Sequence, residues 1–193
     1  MTLLALIRHF PTDWNETGRL QGRRDPPLCA QSPPLCRLPP DLNGFGWLSS
    51  PLRRAVETAH RLGVPEPRIK PRLVEMSWGE WEGRTLAELR ACLGPEMAAM
   101  EARGLDLRAP HGESPREVQA RVAPLLAETA ASGKPTAAVT HKGVIRAVFA
   151  LATGWDMRQK PPCRLDWSAV HLFRLAPDGA PRVERLNLSL LPP

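Results

Sequence analysis

The strongest constraint on the fold is a three-part unit in the second half of the chain. Thr136 to Thr140 is a short run of small and β-branched residues, His141-Lys142-Gly143 is polar, and Val144 to Thr153 is a largely apolar helical stretch stopped by Gly154. Strand, polar loop and helix in that order make a βα unit. Similar wording recurs upstream. Thr2 to Arg8 (TLLALIR) is a near-continuous apolar run that meets His9 and Pro11, as a buried strand does when it enters a loop. A second strand is expected at Gly44 to Ser49, ahead of a helix with Ser50 as N-cap and Pro51 at the first helical position. Leu52, Ala55, Val56, Ala59 and Leu62 share one face of that helix, and Gly63 marks its exit. Strands alternating with helices predict an α/β sandwich.

The remaining segments fit around that frame. Residues 9 to 28 read as a loop, and six prolines between Pro26 and Pro40 exclude a regular helix there in favour of an extended surface segment. Residues 68 to 74 read as a short strand and 75 to 84 as a glycine-broken loop. Thr85 to Glu88 is a capping box opening a helix that Gly94 and Pro95 interrupt. Ser114 to Glu117 is another, with Pro115 at the first helical position, Val118, Val122, Leu125 and Leu126 on the apolar side, and a kink expected at Pro124. The stretch from about 76 to 135 is therefore a helical excursion. Ser168 to Leu175 and Arg182 to Leu188, joined by Pro177-Asp178-Gly179, predict a hairpin. At 193 residues the chain is expected to be a single domain carrying that helical sub-region.

Composition narrows the function. No apolar run approaches the roughly 18 residues that cross a bilayer, and no signal peptide is read, so a soluble cytoplasmic protein without a membrane partner is expected. Lys and Arg number 26 against 20 Asp and Glu, a net charge of +6, which favours anionic ligands. The arginines are spread rather than clustered, so the anion expected is a small phosphorylated molecule and not nucleic acid. Cys29, Cys36, Cys92 and Cys163 form no CxxC, and the five histidines lack HxxxH spacing. Reduced thiols, no metal and no cofactor are expected.

Ligands of an open α/β sheet sit at the carboxyl ends of its strands. This chain puts Arg8-His9, Arg54 and His141 at such ends. Arg53 and Arg54 fall in the first turn of a helix, where the macrodipole disfavours cations. Glu57 offsets Arg53 at i,i+4 and leaves Arg54 available. His141 stands just before a helix N-terminus, a natural place for an anion.

These residues stand in a known pattern. Arg8-His9-Phe10-Pro11-Thr12-Asp13-Trp14-Asn15 is followed by Gly18-Arg19-Leu20-Gln21-Gly22 and by Asp25-Pro26-Pro27-Leu28. Ser50-Pro51-Leu52-Arg53-Arg54-Ala55-Val56-Glu57-Thr58-Ala59 comes next, then Glu75 with Gly79-Glu80-Trp81-Glu82-Gly83, Gly112-Glu113-Ser114 with Arg121, and Val139-Thr140-His141-Lys142-Gly143-Val144-Ile145-Arg146. In this order they resemble the histidine phosphatase superfamily, the phosphoglycerate-mutase-like group, over roughly residues 3 to 153. Among its members the compact length and the loop from Arg8 to Asp25 look similar to α-ribazole phosphatase and broad-specificity phosphatases. Two positions depart from the pattern: Phe10 and Lys142 each stand where the family usually has glycine.

The resemblance implies a three-layer α/β/α sandwich on a mixed, mostly parallel sheet. It also implies a metal-independent phosphomonoesterase using a phosphohistidine on His9, with Arg8, Arg54 and His141 on the phosphoryl oxygens. Glu75 is implied as the proton donor, although by spacing alone Glu80 and Glu82 compete with it. That role needs a carboxyl kept partly protonated near neutral pH, with Trp78 and Trp81 as candidate low-dielectric walls. Asn15, Gln21 and Gly22 are implied phosphate- or substrate-binding positions, and Lys142, which the pattern does not supply, reads either as a surface cation or as a substrate-binding hand for a second phosphate or carboxylate. His60 and His171 read as structural, and His111 as a residue of the pocket rim. Two other readings stand beside this one: a mutase that returns the phosphoryl group to a second position, and a phosphate-binding module whose site Phe10 and Lys142 have disabled. The terminal hairpin could pair across a two-fold axis to give a homodimer, and nothing in the sequence requires it.

Overall fold

The computed structural model describes residues 1–33, 36 and 38–190. Strands are β1 (Thr2–Arg8), β2 (Gly46–Ser49), β3 (Arg68–Ile69), β4 (Thr136–Thr140), β5 (Ala169–Leu175) and β6 (Pro181–Ser189). Helices are α1 (Asp13–Glu16), α2 (Arg53–Arg61), α3 (Leu86–Leu93), α4 (Pro95–Glu101), α5 (Pro115–Ser132) and α6 (Lys142–Thr153). The strands form one sheet in the order β3-β2-β4-β1-β5-β6. The first four run parallel, and β5 is antiparallel to both of its neighbours.

The apolar runs of β1 and β4 have no polar alternation because both faces of the sheet are covered. Leu4, Leu6, Ala138 and Phe173 face Val118, Val122, Val144 and Val148 of α5 and α6. Ala5, Ile7, Val139 and Leu172 face Ala55 and Ala59 of α2. The result is the expected three-layer α/β/α sandwich. The excursion has a smaller core of its own, Trp81, Leu89, Met97 and Ala109, and Trp78 packs against both this cluster and the α5/α6 layer.

Four local expectations are corrected. Helix α2 starts at Arg53 with Leu52 as N-cap, because the Ser50 N–H still donates to the Val139 carbonyl (3.0 Å) and keeps Ser50 in the sheet. Helix α6 starts at Lys142, with His141 as N-cap. The strand expected over 68 to 74 ends at Ile69 and gives way to a 3-10 turn at Pro71–Leu73, since Pro71 has no N–H for a ladder. The loop after β1 contains α1, which Thr12 and Asn15 close as a capping box. Both predicted capping boxes, at Thr85/Glu88 and Ser114/Glu117, are present, and α5 continues through Pro124.

Strand β4 lies between β2 and β1, so the residues following all three emerge side by side. They are His141, Ser50 and His9.

Candidate active site

The His9 backbone stays in the sheet, its N–H donating to Thr140 O at 2.9 Å. Its Nδ1 lies 2.7 Å from the Phe10 carbonyl. A carbonyl only accepts, so the proton is on Nδ1 and Nε2 keeps its lone pair. Burial pushes the His9 pKa well below 6.5, and the charges of Arg8 and Arg54 push it further. The ring is thus neutral at neutral pH. The His141 ring sits 5.2 Å away, centroid to centroid, with Nε2 2.7 Å from Ser50 Oγ. It is fully buried, and burial, then His9 and the two arginines, likewise hold it well below 6.5.

Arg54 is not the free group that the i,i+4 argument expected. Its NH1 donates to Arg24 O (2.7 Å) and to Asp25 Oδ1 (3.0 Å), and its NH2 to Gly22 O (2.9 Å). Arg53 does pair with Glu57 as expected. Asp25 also accepts from the backbone N–H groups of Arg53 and Arg54, so this carboxylate is the anion that the helix N-terminus called for. Arg8 Nε, Arg54 Nε and His141 Nδ1 are buried without a hydrogen-bond partner among the described residues. Buried polar atoms are normally satisfied, and three exceptions around one imidazole suit an anion that would use them.

Glu75 is buried, and its Oε1 accepts from the Met76 N–H (2.8 Å) and the Gly143 N–H (3.0 Å). A Cβ at position 143 would collide with that oxygen and displace the carboxylate. Glu80 and Glu82 are off the wall of the cleft that Glu75 lines. Glu82 is spent on three backbone N–H groups, those of Arg23, Arg24 and Trp78. Glu80 is exposed and faces His111 at 3.4 Å.

A cleft of about 390 Å³ opens over these groups, with Arg8, His9, Asn15, Gln21, Glu75 and Lys142 on its wall. Arg54 and His141 are fully buried and off that wall. Asn15 Oδ1 is taken by the Thr12 N–H (3.0 Å) and hydroxyl (3.2 Å), which leaves its amide hydrogens to donate. Gly22 is off the wall of that cleft: its carbonyl holds Arg54, its φ is +56°, and a Cβ there would run into Glu82. Trp78 is on the wall, whereas Trp81 belongs to the excursion core. His111 is exposed and off the wall, His60 is exposed, and His171 is fully buried in β5.

Phe10 does not crowd the cleft. Its side chain is buried among Ile7, Ala55 and Ala59, and its N–H donates to Thr58 Oγ1 at 2.9 Å. Three neighbours of the site escaped the sequence reading as site residues. Asp25 and Ser50 lay inside quoted motifs but make contacts across long sequence separations, and Arg146, also quoted, carried no signal beyond its i,i+4 spacing from Lys142.

A profile of the histidine phosphatase superfamily (branch 1) matches residues 4–189. The chain is 35% identical over 166 residues to glucosyl-3-phosphoglycerate phosphatase of Mycobacterium tuberculosis, covering 76% of this chain and 73% of that protein. It is 29% identical over 192 residues to a 2,3-bisphosphoglycerate-dependent phosphoglycerate mutase of Methylobacterium radiotolerans, covering 91% of each. A solved mycobacterial glucosyl-3-phosphoglycerate phosphatase in complex with VO3 superposes with a TM-score of 0.74 at 28% identity, covering 98% of this chain and 100% of that one. With its six-stranded sheet and a histidine-centred cleft, this chain belongs to the histidine phosphatase superfamily.

Proposed function

We propose that the protein is a metal-independent phosphomonoesterase that hydrolyses a small phosphorylated metabolite through a phosphohistidine on His9. The observation that carries the reading is the clamp of His9 Nδ1 on the Phe10 carbonyl, which points an unprotonated Nε2 lone pair for attack on phosphorus. Nε2 forms a bond to phosphorus as the ester P–O bond breaks, and the leaving alkoxide takes a proton from Glu75. Glu75 then takes a proton from water, whose oxygen displaces the imidazole and releases phosphate. Arg8 and Arg54 hold the nonbridging oxygens, with His141 and the Asn15 amide as further donors. Positioning and charge are most of what phosphoryl transfer needs.

The test is turnover of p-nitrophenyl phosphate in EDTA by the wild type and by His9→Ala. Turnover that survives chelation and falls at least about 10³-fold in the variant supports the reading, since loss of a covalent nucleophile usually costs several orders of magnitude. Phosphate binding without turnover would make the protein a binding module instead. Labelled phosphate trapped on His9 and released to water, rather than to an added acceptor alcohol, separates hydrolase from mutase.

A further inference from the structure

Lys142 and Arg146 stand one turn apart on α6, a like-charge i,i+4 pair on one helix face. Lys142 also occupies the first helical position, where the macrodipole opposes a cation, and the first turn of α6 holds no acid. On α2 the same problem at Arg53 is met by Glu57 and Asp25. Here nothing meets it: neither Lys142 nor Arg146 makes an ion pair among the described residues.

Each cation instead rests on an indole. Lys142 Nζ is 5.3 Å from the centroid of Trp167, and the Arg146 guanidinium carbon is 5.0 Å from that of Trp155. Both shelves are fixed. Trp155 donates Nε1–H to Gln159 O at 3.0 Å and meets Phe149 edge-on, and Trp167 meets the buried His171 edge-on. An aromatic face orients a cation without using its N–H donors or cancelling its charge. Both cations also line the cleft, with Arg8.

Both share the cleft wall with Glu75. Gly143, next to Lys142, holds the Glu75 carboxylate through its N–H. Glu75 serves the leaving group in the proposed reaction, so the pair is assigned to the leaving-group end, and Arg8, 6.0 Å from the same Trp167 ring that Lys142 rests on, links that end to the scissile phosphate. Burial, then Arg8 and Arg146, lowers the pKa of the Lys142 ammonium, a mutual repulsion that an anion would relieve.

We infer that Lys142 and Arg146 form a second anion subsite, which takes a carboxylate or a second phosphate on the leaving-group portion of the substrate. The inference rests on the phosphatase reading for the place of the scissile phosphate, while the subsite itself is a matter of binding. The substrate class it selects is a phosphomonoester with a second negative group.

The test compares kcat/KM for 3-phosphoglycerate, glycerol 1,3-bisphosphate and glycerol 3-phosphate, in the wild type, Lys142→Met and Arg146→Met. The wild type is expected to prefer at least one doubly anionic ester over glycerol 3-phosphate by about tenfold or more, consistent with charge-assisted pairing. Which of the two it prefers identifies the anion. Either variant should cut that preference about tenfold, chiefly through KM, as loss of uniform binding does. Equal handling of the three esters by the wild type, or an equal loss on all three in both variants, overturns the subsite. If p-nitrophenyl phosphate is not turned over either, the phosphatase reading has failed, and wherever the three esters are not turned over, calorimetric titration of the same esters decides the subsite separately. Tighter wild-type binding of a doubly anionic ester, lost in the variants, supports it, and equal affinities overturn it.

Discussion

The Asp25 carboxylate pairs with the Arg54 guanidinium at 3.0 Å and at the same time accepts the N–H groups at the start of the helix that carries Arg54. One side chain therefore neutralises a fully buried cation and anchors its backbone. Breaking a buried ion pair costs about 3–5 kcal/mol. Asp25 is a quarter exposed and two carbonyls stay on Arg54, so Asp25→Asn should cost about 1–3 kcal/mol after solvent screening. The urea midpoint reads this, and kcat/KM should fall about tenfold or more as Arg54 loosens, given how steeply rate depends on placement. An unshifted midpoint would remove Asp25 from this role.

Acid should destabilise the protein through its two site histidines. Both are held well below 6.5 in the folded chain, His9 by burial, Arg8 and Arg54, and His141 by burial, His9 and the arginines. Below pH 6.5 the unfolded chain binds protons that the folded chain refuses. Their contribution is complete above that pH and is lost as pH falls toward the folded values. The slope is about 1.4 kcal/mol per pH unit for each histidine. Urea unfolding of the wild type and His141→Asn at pH 7.5 and 5.5 checks it: the variant should lose less stability between the two. Identical pH dependences would mean that His141 titrates freely.

Glu75 should matter in proportion to the basicity of the leaving group. Glu75→Gln is expected to lower kcat on an alkyl phosphate about 10²-fold or more, the usual worth of general acid catalysis. On p-nitrophenyl phosphate, whose leaving group needs less protonation, the loss should be smaller. Gly143→Ala, which drives a methyl group into the Glu75 carboxylate, should show the same bias. Equal losses on both esters would assign Glu75 a role other than proton transfer.

Phe10 should prove a packing residue. Truncating a buried Phe to Ala typically costs about 3–5 kcal/mol. Phe10→Ala should therefore lower the melting temperature sharply. Below the transition, kcat on p-nitrophenyl phosphate should stay within about threefold of wild type, because the carbonyl that orients His9 is retained. A large gain in kcat would show that the benzyl group obstructs the cleft.

Much of this was legible from local chemistry. Periodicity exposed the inward face of α2, the two capping boxes and the β4–α6 unit, because those patterns are set by neighbours in sequence. The boundaries missed were decided by partners far away: Val139 keeps Ser50 in the sheet, 89 residues downstream in the chain. The candidate groups Arg8, His9 and His141 were visible as types at strand ends, and Glu75 by resemblance. Their supports were not. Asp25 reaches Arg54 across 29 positions and Glu82 reaches Arg23 across 59, separations over which no periodic signal survives. Arg54 was misjudged for the same reason: helix spacing shows only partners on the same helix.

The orientation of Phe10 separates what a motif states from what the reaction demands. The peptide oxygen at position 10 serves the imidazole, while the substituent on that Cα belongs to the opposite layer of the sandwich. Enzymologists inspecting relatives for activity should accordingly look at where that oxygen points, not at which letter occupies the column. A rule that discards chains for lacking glycine here would reject sites that keep the same carbonyl on the imidazole while the interior fills the space differently.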